Sequence, residues 1–324
     1  MTDTALNANV IIAEVEIIGT WLSGGHLPPF RGATIRGGLG YHLRKTVCNN
    51  LKRKCADCFL VEDCAYSNFF EGILPKDRAF MALYDNVPQP FMLLFKQQEP
   101  TEIQAGTGFQ FGMKLFGNSS NLFPYIAYSF LQMGEKGVGK EQIVFELDSI
   151  IQDNGLKLYE KGINKISKPK PKEIQPETIG IDSHEKVRVQ FLTPVNIRKD
   201  GKTARELTFR ILTEAALRRI VIINYFYGSG TVIGTELIQK YLHQSEQVET
   251  VKDTTQYYSF NRYSGRQQRM VRLEGLSGAL TFQNITSDLL GILKLSEQIG
   301  LGKSTSFGFG RINIEVEKDG GMHG

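Results

Sequence analysis

"LSEQIGLGKSTSFGFGRINIEV", Leu295 to Val316, decides how this chain is read. Gly302-Lys303-Ser304 matches the end of a nucleotide-binding loop. Such a loop needs a further glycine ahead of the Gly-Lys-Ser and runs from a strand into a helix, so that backbone N–H groups surround the phosphates. Glu297 occupies the place of that glycine. The element order is also reversed. Leu289, Ile292, Leu293 and Ile299 fall on one face of a helix before the glycines. After them Ile312, Ile314 and Val316 alternate with Asn313, Glu315 and Glu317, the pattern of a half-buried strand. Helix, glycine loop, strand excludes a nucleoside-triphosphatase loop.

The same layout recurs in "LFPYIAYSFLQMGEKGVGKEQIVFELDSI", Leu122 to Ile150. Ile126, Phe130 and Met133 form a helical stripe, Gly134, Gly137 and Gly139 the loop, and Ile143, Phe145 and Leu147 an alternating strand. Gly134 to Lys140 fits the spacing of a phosphate loop, but Glu141 stands where a magnesium-binding Ser or Thr would be. The fronts of the two halves agree too. Ala13, Val15 and Ile17 alternate with Glu14 and Glu16, and an Arg-rich helix follows over 34–47. Val187, Val189 and Phe191 alternate with Arg188 and Gln190, and a helix follows over 205–227. Each half reads strand, helix, two or more strands, helix, strand. This predicts an α+β protein of two tandem ferredoxin-like βαββαβ domains, spanning 1–160 and 186–324. Between them 161–185 is rich in Lys and Pro without an apolar period, which suits an exposed linker.

The formal net charge of +4 favours an acidic partner only mildly. Its distribution says more. Arg31, Arg36, Arg44, Lys45, Lys52, Arg53 and Lys54 fall in a stretch without Asp or Glu, and Arg262, Arg266, Arg269 and Arg272 form a second acid-free cluster. Either is a solvated face or a nucleic-acid contact. No apolar run approaches the roughly 18 residues needed to cross a bilayer, and the N-terminus lacks a secretory pattern. The expectation is a soluble, cytoplasmic protein without membrane contact.

Four stretches, "LPPFRGATIRGGLGYHLRKTVC", "CAYSNFFE", "YSGRQQRMVRLEGLSGALTF" and "IGLGKSTSFGFGRI", together resemble the CRISPR-associated endoribonucleases of the RAMP superfamily, the sixth Cas family. That family cuts CRISPR precursor RNA into guide RNAs. The resemblance implies recognition of repeat RNA and cleavage without a catalytic metal, giving 2′,3′-cyclic phosphate and 5′-hydroxyl ends. A non-catalytic RAMP subunit binding guide RNA in an effector complex is the other expectation. CRISPR repeat RNA and effector subunits are the expected partners, and the chain is monomer or homodimer.

Metal-free cleavage needs a base for the 2′-hydroxyl, an acid for the departing oxygen, and positive groups at the phosphate. Histidine serves both proton transfers near neutral pH. His42 is the first candidate, bordering the stripe of Ile35, Leu39 and Leu43, where a packed histidine is the competing reading. Many relatives carry histidine at the place of Tyr41, which would position or donate a proton, or simply pack. His26, in "SGGHLPPF", is the second histidine candidate or an ordinary loop residue. Gly302, Lys303, Ser304 and Arg311 are expected at phosphate. Arg31, Arg36, Arg44, Lys45, Arg266 and Arg269 are expected along the RNA backbone or at a guanine edge. Cys48, Cys55, Cys58 and Cys64 form C-x6-C-x2-C-x5-C, whose central pair has the chelate spacing of thiolate sites. A closed four-sulfur shell predicts structural zinc, with free thiols and an iron–sulfur centre as rivals.

Overall fold

The computed structural model describes residues 6–73, 87–182, 184–264 and 269–317. The chain divides into two compact units, Ile11–Glu173 and a second formed by Ile174–Gly324 with Met1–Val10.

The N-terminal unit runs β1 (Val10–Trp21), β2 (Gly25–His26), α1 (Gly32–Val47), β3 (Phe91–Leu94), β4 (Glu102–Ile103), β5 (Gly108–Phe116), α2 (Phe123–Lys136), β6 (Phe145–Gln152), β7 (Lys157–Glu160) and β8 (Lys172–Ile174). Alternation explains β1: Val15 and Ile17 are buried while Glu16 is exposed. β1 lies between β5 and β6, antiparallel to both, in the order β3-β5-β1-β6-β7. Helices α1 and α2 pack together. Their apolar faces, Ile35, Leu39 and Leu43 on one and Ile126, Phe130 and Met133 on the other, are buried. Phe69 and Phe91 stack with ring centroids 4.4 Å apart and both are fully buried. β2 and β4 form a separate ribbon. β8 pairs with β1, so part of the Lys- and Pro-rich stretch 161–185 is strand within the sheet.

The C-terminal unit runs β9 (Lys186–Val195), β10 (Arg198–Lys199), β11 (Lys202–Thr203), α3 (Phe209–Tyr227), α4 (Thr235–Ser245), β12 (Glu249–Asp253), β13 (Gln256–Ser264), β14 (Arg269–Gln283), α5 (Ser287–Ile299) and β15 (Ile312–Glu317). Its main sheet has the order β12-β14-β9-β15, with β13 also on β14, and every pairing is antiparallel. The second helix was expected from Arg205. It begins at Phe209 because the Thr208 hydroxyl accepts from the Ile211 N–H, at 3.3 Å, and fixes the start. Arg219 is buried in α3 and donates from Nε to the Ile299 carbonyl at 3.0 Å. Burial pulls its guanidinium down to about 10. That bond satisfies the end of α5 and fixes the point from which the glycine loop departs. Both units are therefore α+β. Among the described residues no helix is long and apolar enough to cross a membrane.

Candidate nucleic-acid interface

In the C-terminal unit the loop after α5 folds against the end of β9. Lys303 N–H donates to the Asn196 carbonyl at 2.8 Å, Gly310 N–H to Pro194 at 2.9 Å, and Leu301 N–H to Gly310 at 2.8 Å. Gly302 has φ +76, and a Cβ there would stand 2.4 Å from the Asn196 carbonyl oxygen. The protein's own backbone thus accounts for this glycine. Its closeness to Asn196 brings Lys303 beside the next residues of the chain, the β10–β11 hairpin. That hairpin turns at Asp200 and Gly201, with φ 50 and 75, the pair of positive values a two-residue turn requires.

Lys303 is exposed, yet its amine is held below the usual lysine range, first by partial burial and then by the guanidiniums of Arg198 and Arg218. Burial is the larger cause and the two like charges the smaller, although solvent still reaches the residue. The loop, β10 and α3 thus each contribute a cation within electrostatic reach of the others, Arg218 being also paired with Glu214 at 3.2 Å. Ser304 beside them is in the left-handed region, φ 65.

The adjoining strands carry more guanidiniums. Arg262 lies 4.4 Å over the Phe307 ring, and burial lowers it. Arg205 and Arg272 lie 4.6 Å and 5.7 Å from the Tyr257 centroid. The Tyr257 hydroxyl donates to one Glu274 carboxylate oxygen at 2.5 Å and the Thr203 hydroxyl donates to the other at 2.6 Å. Those two bonds, Thr203 first, hold the Glu274 carboxyl below the usual range, aided by Arg272 and Arg198. Arg269 is exposed at the start of β14. The Arg311 carbonyl accepts from Leu192 and Thr193, which ties its backbone to β9. Arg266 lies outside the described residues.

In the N-terminal unit, α1 sets apart residues that its charge pattern had grouped. Arg31, expected at RNA, is instead buried at the start of α1: Nη2 donates to the Pro100 carbonyl at 2.8 Å, Glu99 is 4.0 Å away, and burial lowers its pKa. It is a structural arginine because the carbonyl and carboxylate compensate its desolvation. Arg44 is half-buried and donates to the carbonyls of Leu51 and Arg53 at 3.1 and 2.8 Å, with its guanidinium 5.6 Å over Tyr66. Arg36 lies 5.4 Å over Phe70. Lys45 is exposed.

His42 is 7% exposed and Tyr41, beside it on α1, is 64% exposed. Their rings meet edge to face at 5.1 Å. Burial, then Lys45 and Lys136, depress the His42 pKa, so its imidazole is neutral at pH 7. A neutral imidazole is the form a general base needs, while burial limits what reaches it. His26 is the exposed histidine of the unit. Its Nδ1 stands 3.6 Å from Glu141, whose other oxygen accepts from the His26 N–H at 3.1 Å. Glu141 comes from the loop after α2, and no local pattern of residues joins it to His26.

Cys48, Cys55, Cys58 and Cys64 are free, half-buried thiols lining one small cavity. Among the described residues no three His, Cys, Asp or Glu side chains are gathered closely enough to hold a metal as they stand.

The chain thus falls in the class of two-unit α+β proteins with a cation-lined glycine loop. Residues 11–176 match the AF_1859 N-terminal domain, and residues 189–312 match the CRISPR-associated endoribonuclease Cas6 family model. An uncharacterized protein of Archaeoglobus fulgidus is 28% identical over 301 residues, 89% of this chain and 93% of that protein. A solved Cas6 product complex has the same fold at TM-score 0.53 and 15% identity, covering 94% of this chain and 99% of that one. A partial Cas6-RT-Cas1–Cas2 complex gives TM-score 0.57 at 12% identity over 96% of this chain, which spans only 47% of the chain it matches. The chain belongs to the AF_1859 N-terminal-domain family through residues 11–176, and its C-terminal unit matches the Cas6 endoribonuclease model.

Proposed function

We propose that this protein binds CRISPR repeat RNA and cleaves the precursor by attack of a 2′-hydroxyl on the adjacent phosphorus, leaving 2′,3′-cyclic phosphate and 5′-hydroxyl ends. The observation that carries this is the match of residues 189–312 to the Cas6 model, a region in which Arg198 and Arg218 act electrostatically on Lys303 of the glycine loop. Such a cluster suits a phosphodiester, whose charge lowers the cations' mutual repulsion. Tyr257 and Phe307, each under guanidinium, add flat faces near which bases would stack. The fold reading is tandem ferredoxin-like. It is supported by the strand order fourth, first, third, second in each unit, counting the sheet strands as βαββαβ and taking β12 with β13 as one interrupted second strand.

In this reading His42, neutral at working pH, takes the 2′-hydroxyl proton and Tyr41 orients the nucleotide, while Lys303 in the other unit binds backbone phosphate of the RNA. Repeat RNA is incubated with protein in excess EDTA, beside RNA with a 2′-deoxy nucleotide at the cut site. Cleavage abolished by the deoxy substitution supports the nuclease. His42→Ala should slow cleavage by about a hundredfold or more with binding retained. If that variant cuts normally while His26→Ala does not, the base is His26, beside Glu141. The low exposure of His42 favours a second reading, a non-catalytic subunit that holds guide RNA. Binding with no cleavage of any RNA would establish it.

A further inference from the structure

From Cys48 to Tyr66 not one residue is buried, and Leu51, Phe59 and Leu60 are 53%, 86% and 56% exposed. A segment of this length cannot be fixed by apolar burial. Yet it leaves the end of α1, makes a closed excursion and re-enters the core at Phe69, stacked on Phe91. The residues turned inward along it include all four cysteines, each half-buried. They line the same cavity, which Arg53 and Tyr66 help to close. The local backbone sets the central pair as a chelate. Cys58 N–H donates to the Cys55 carbonyl at 3.0 Å across a 3-10 turn, and Val61 N–H donates to Cys58 at 3.2 Å. The outer pair sits on helical ends. Cys48 follows α1 with its N–H on the Arg44 carbonyl, and the Cys64 carbonyl accepts from Asn68 at 3.0 Å.

We propose that Cys48, Cys55, Cys58 and Cys64 bind one zinc ion that fastens the segment 48–64 to the C-terminal end of α1. The sulfurs share a cavity but do not form a closed shell. Closing it draws the four side chains together across the cavity that they line. Binding releases a proton from each thiol to solvent and leaves a Zn(Cys)4 group of charge about −2. Cations stand beside that charge. Arg53 lines the cavity with Lys52 and Lys54 next to it in sequence, against Asp57, Glu62 and Asp63 further along, and Arg44 ties the carbonyls of Leu51 and Arg53 to α1. This gives the acid-free stretch around residue 50 a purpose apart from nucleic acid. Four thiolates leave no open coordination position, so the ion is structural and takes no part in proton transfer.

The full-length protein, purified without chelator, is analysed for zinc, iron and sulfide while its native thiols are titrated with a disulfide reagent. About one zinc per chain, with the thiols protected until the ion is removed, is the expected result. Cobalt replacing the zinc should show the intense visible bands of a tetrahedral thiolate complex. The Cys55→Ser, Cys58→Ser double variant should lose the metal. On the unaltered protein, chelation should open the chain between Leu51 and Leu60 to protease. Four reactive thiols without metal, iron with sulfide, or zinc retained by the double variant would each overturn the site. None of these measurements reads RNA cleavage, so this inference and the nuclease stand or fall separately.

Discussion

The loop after α2 and the loop after α5 follow the same plan and carry different chemistry. Each leaves a helix through a glycine and leads into a strand antiparallel to the unit's first strand. In each a glycine is required by the chain's own backbone: a Cβ on Gly137, φ +82, would stand 2.1 Å from the Gln142 carbonyl oxygen, as one on Gly302 would stand 2.4 Å from that of Asn196. The side chains then diverge. The first loop sends Glu141 to His26. The second sends Lys303 among arginines. A common frame fixes where a loop sits, and one or two side chains decide whether it offers a carboxylate or a cation.

The largest test of this contrast is electrostatic. Lys303→Ala with Arg198→Ala should weaken RNA binding by about a hundredfold, on the scale of two charged contacts, and flatten the slope of log affinity against log salt by about 1.4. Glu141→Gln should leave affinity within about twofold, since a carboxylate gives phosphate nothing to bind. Filter binding over a salt series reads both. Equal losses would mean that the loops play the same part.

Next comes the shared frame. Gly137→Ala and Gly302→Ala should each cost about 2 kcal/mol in urea or thermal unfolding, because both add left-handed strain and a contact with a carbonyl. A large cost at one and none at the other would break the parallel in architecture.

The smallest effect is in pH. The pKa of His42 is depressed from the ordinary 6.5, first by burial, then by Lys45 and by Lys136 in the last turn before the first loop. Protons therefore bind the unfolded chain more readily than the folded one in the window just below 6.5. Stability is fully present above that value and falls as pH drops through the folded pKa. His42→Phe should flatten this part of the curve of thermal midpoint against pH. The cations beside the second loop stay charged across this range and should add no such slope.

Much of the frame could be read from periodicity. Alternation marks β1, β9 and β15, and the helical stripes mark α2 and α5, because burial of one face leaves its period in the sequence. α4 was not foreseen, though Tyr241, Leu242 and Ser245 lie buried on one side of it at helical spacing. The site was less legible. Glu141 and His26 are 115 residues apart, and no local pattern joins them. Arg198 had a local cue, an Asp-Gly turn flanked by basic residues, and Arg218 had none. Arg31 and Lys45 look alike in a charge count. Only three-dimensional structure buries the first under Pro100 and leaves the second in water.

The residues ahead of β1 carry a consequence for how the molecule is made. Asn9 N–H donates to the Asn224 side chain 215 positions later, and Val10 bridges to Gly228. The second unit is thus discontinuous in the chain, completed by the leading residues of a polypeptide whose intervening part forms the first. During synthesis those residues emerge well before α3 and wait for it to find their partners, a long loop closure of the kind that slows folding. A fragment cut to begin at Ile174 would lack this clasp, and expressing that half alone calls for Leu6–Val10 to be grafted back.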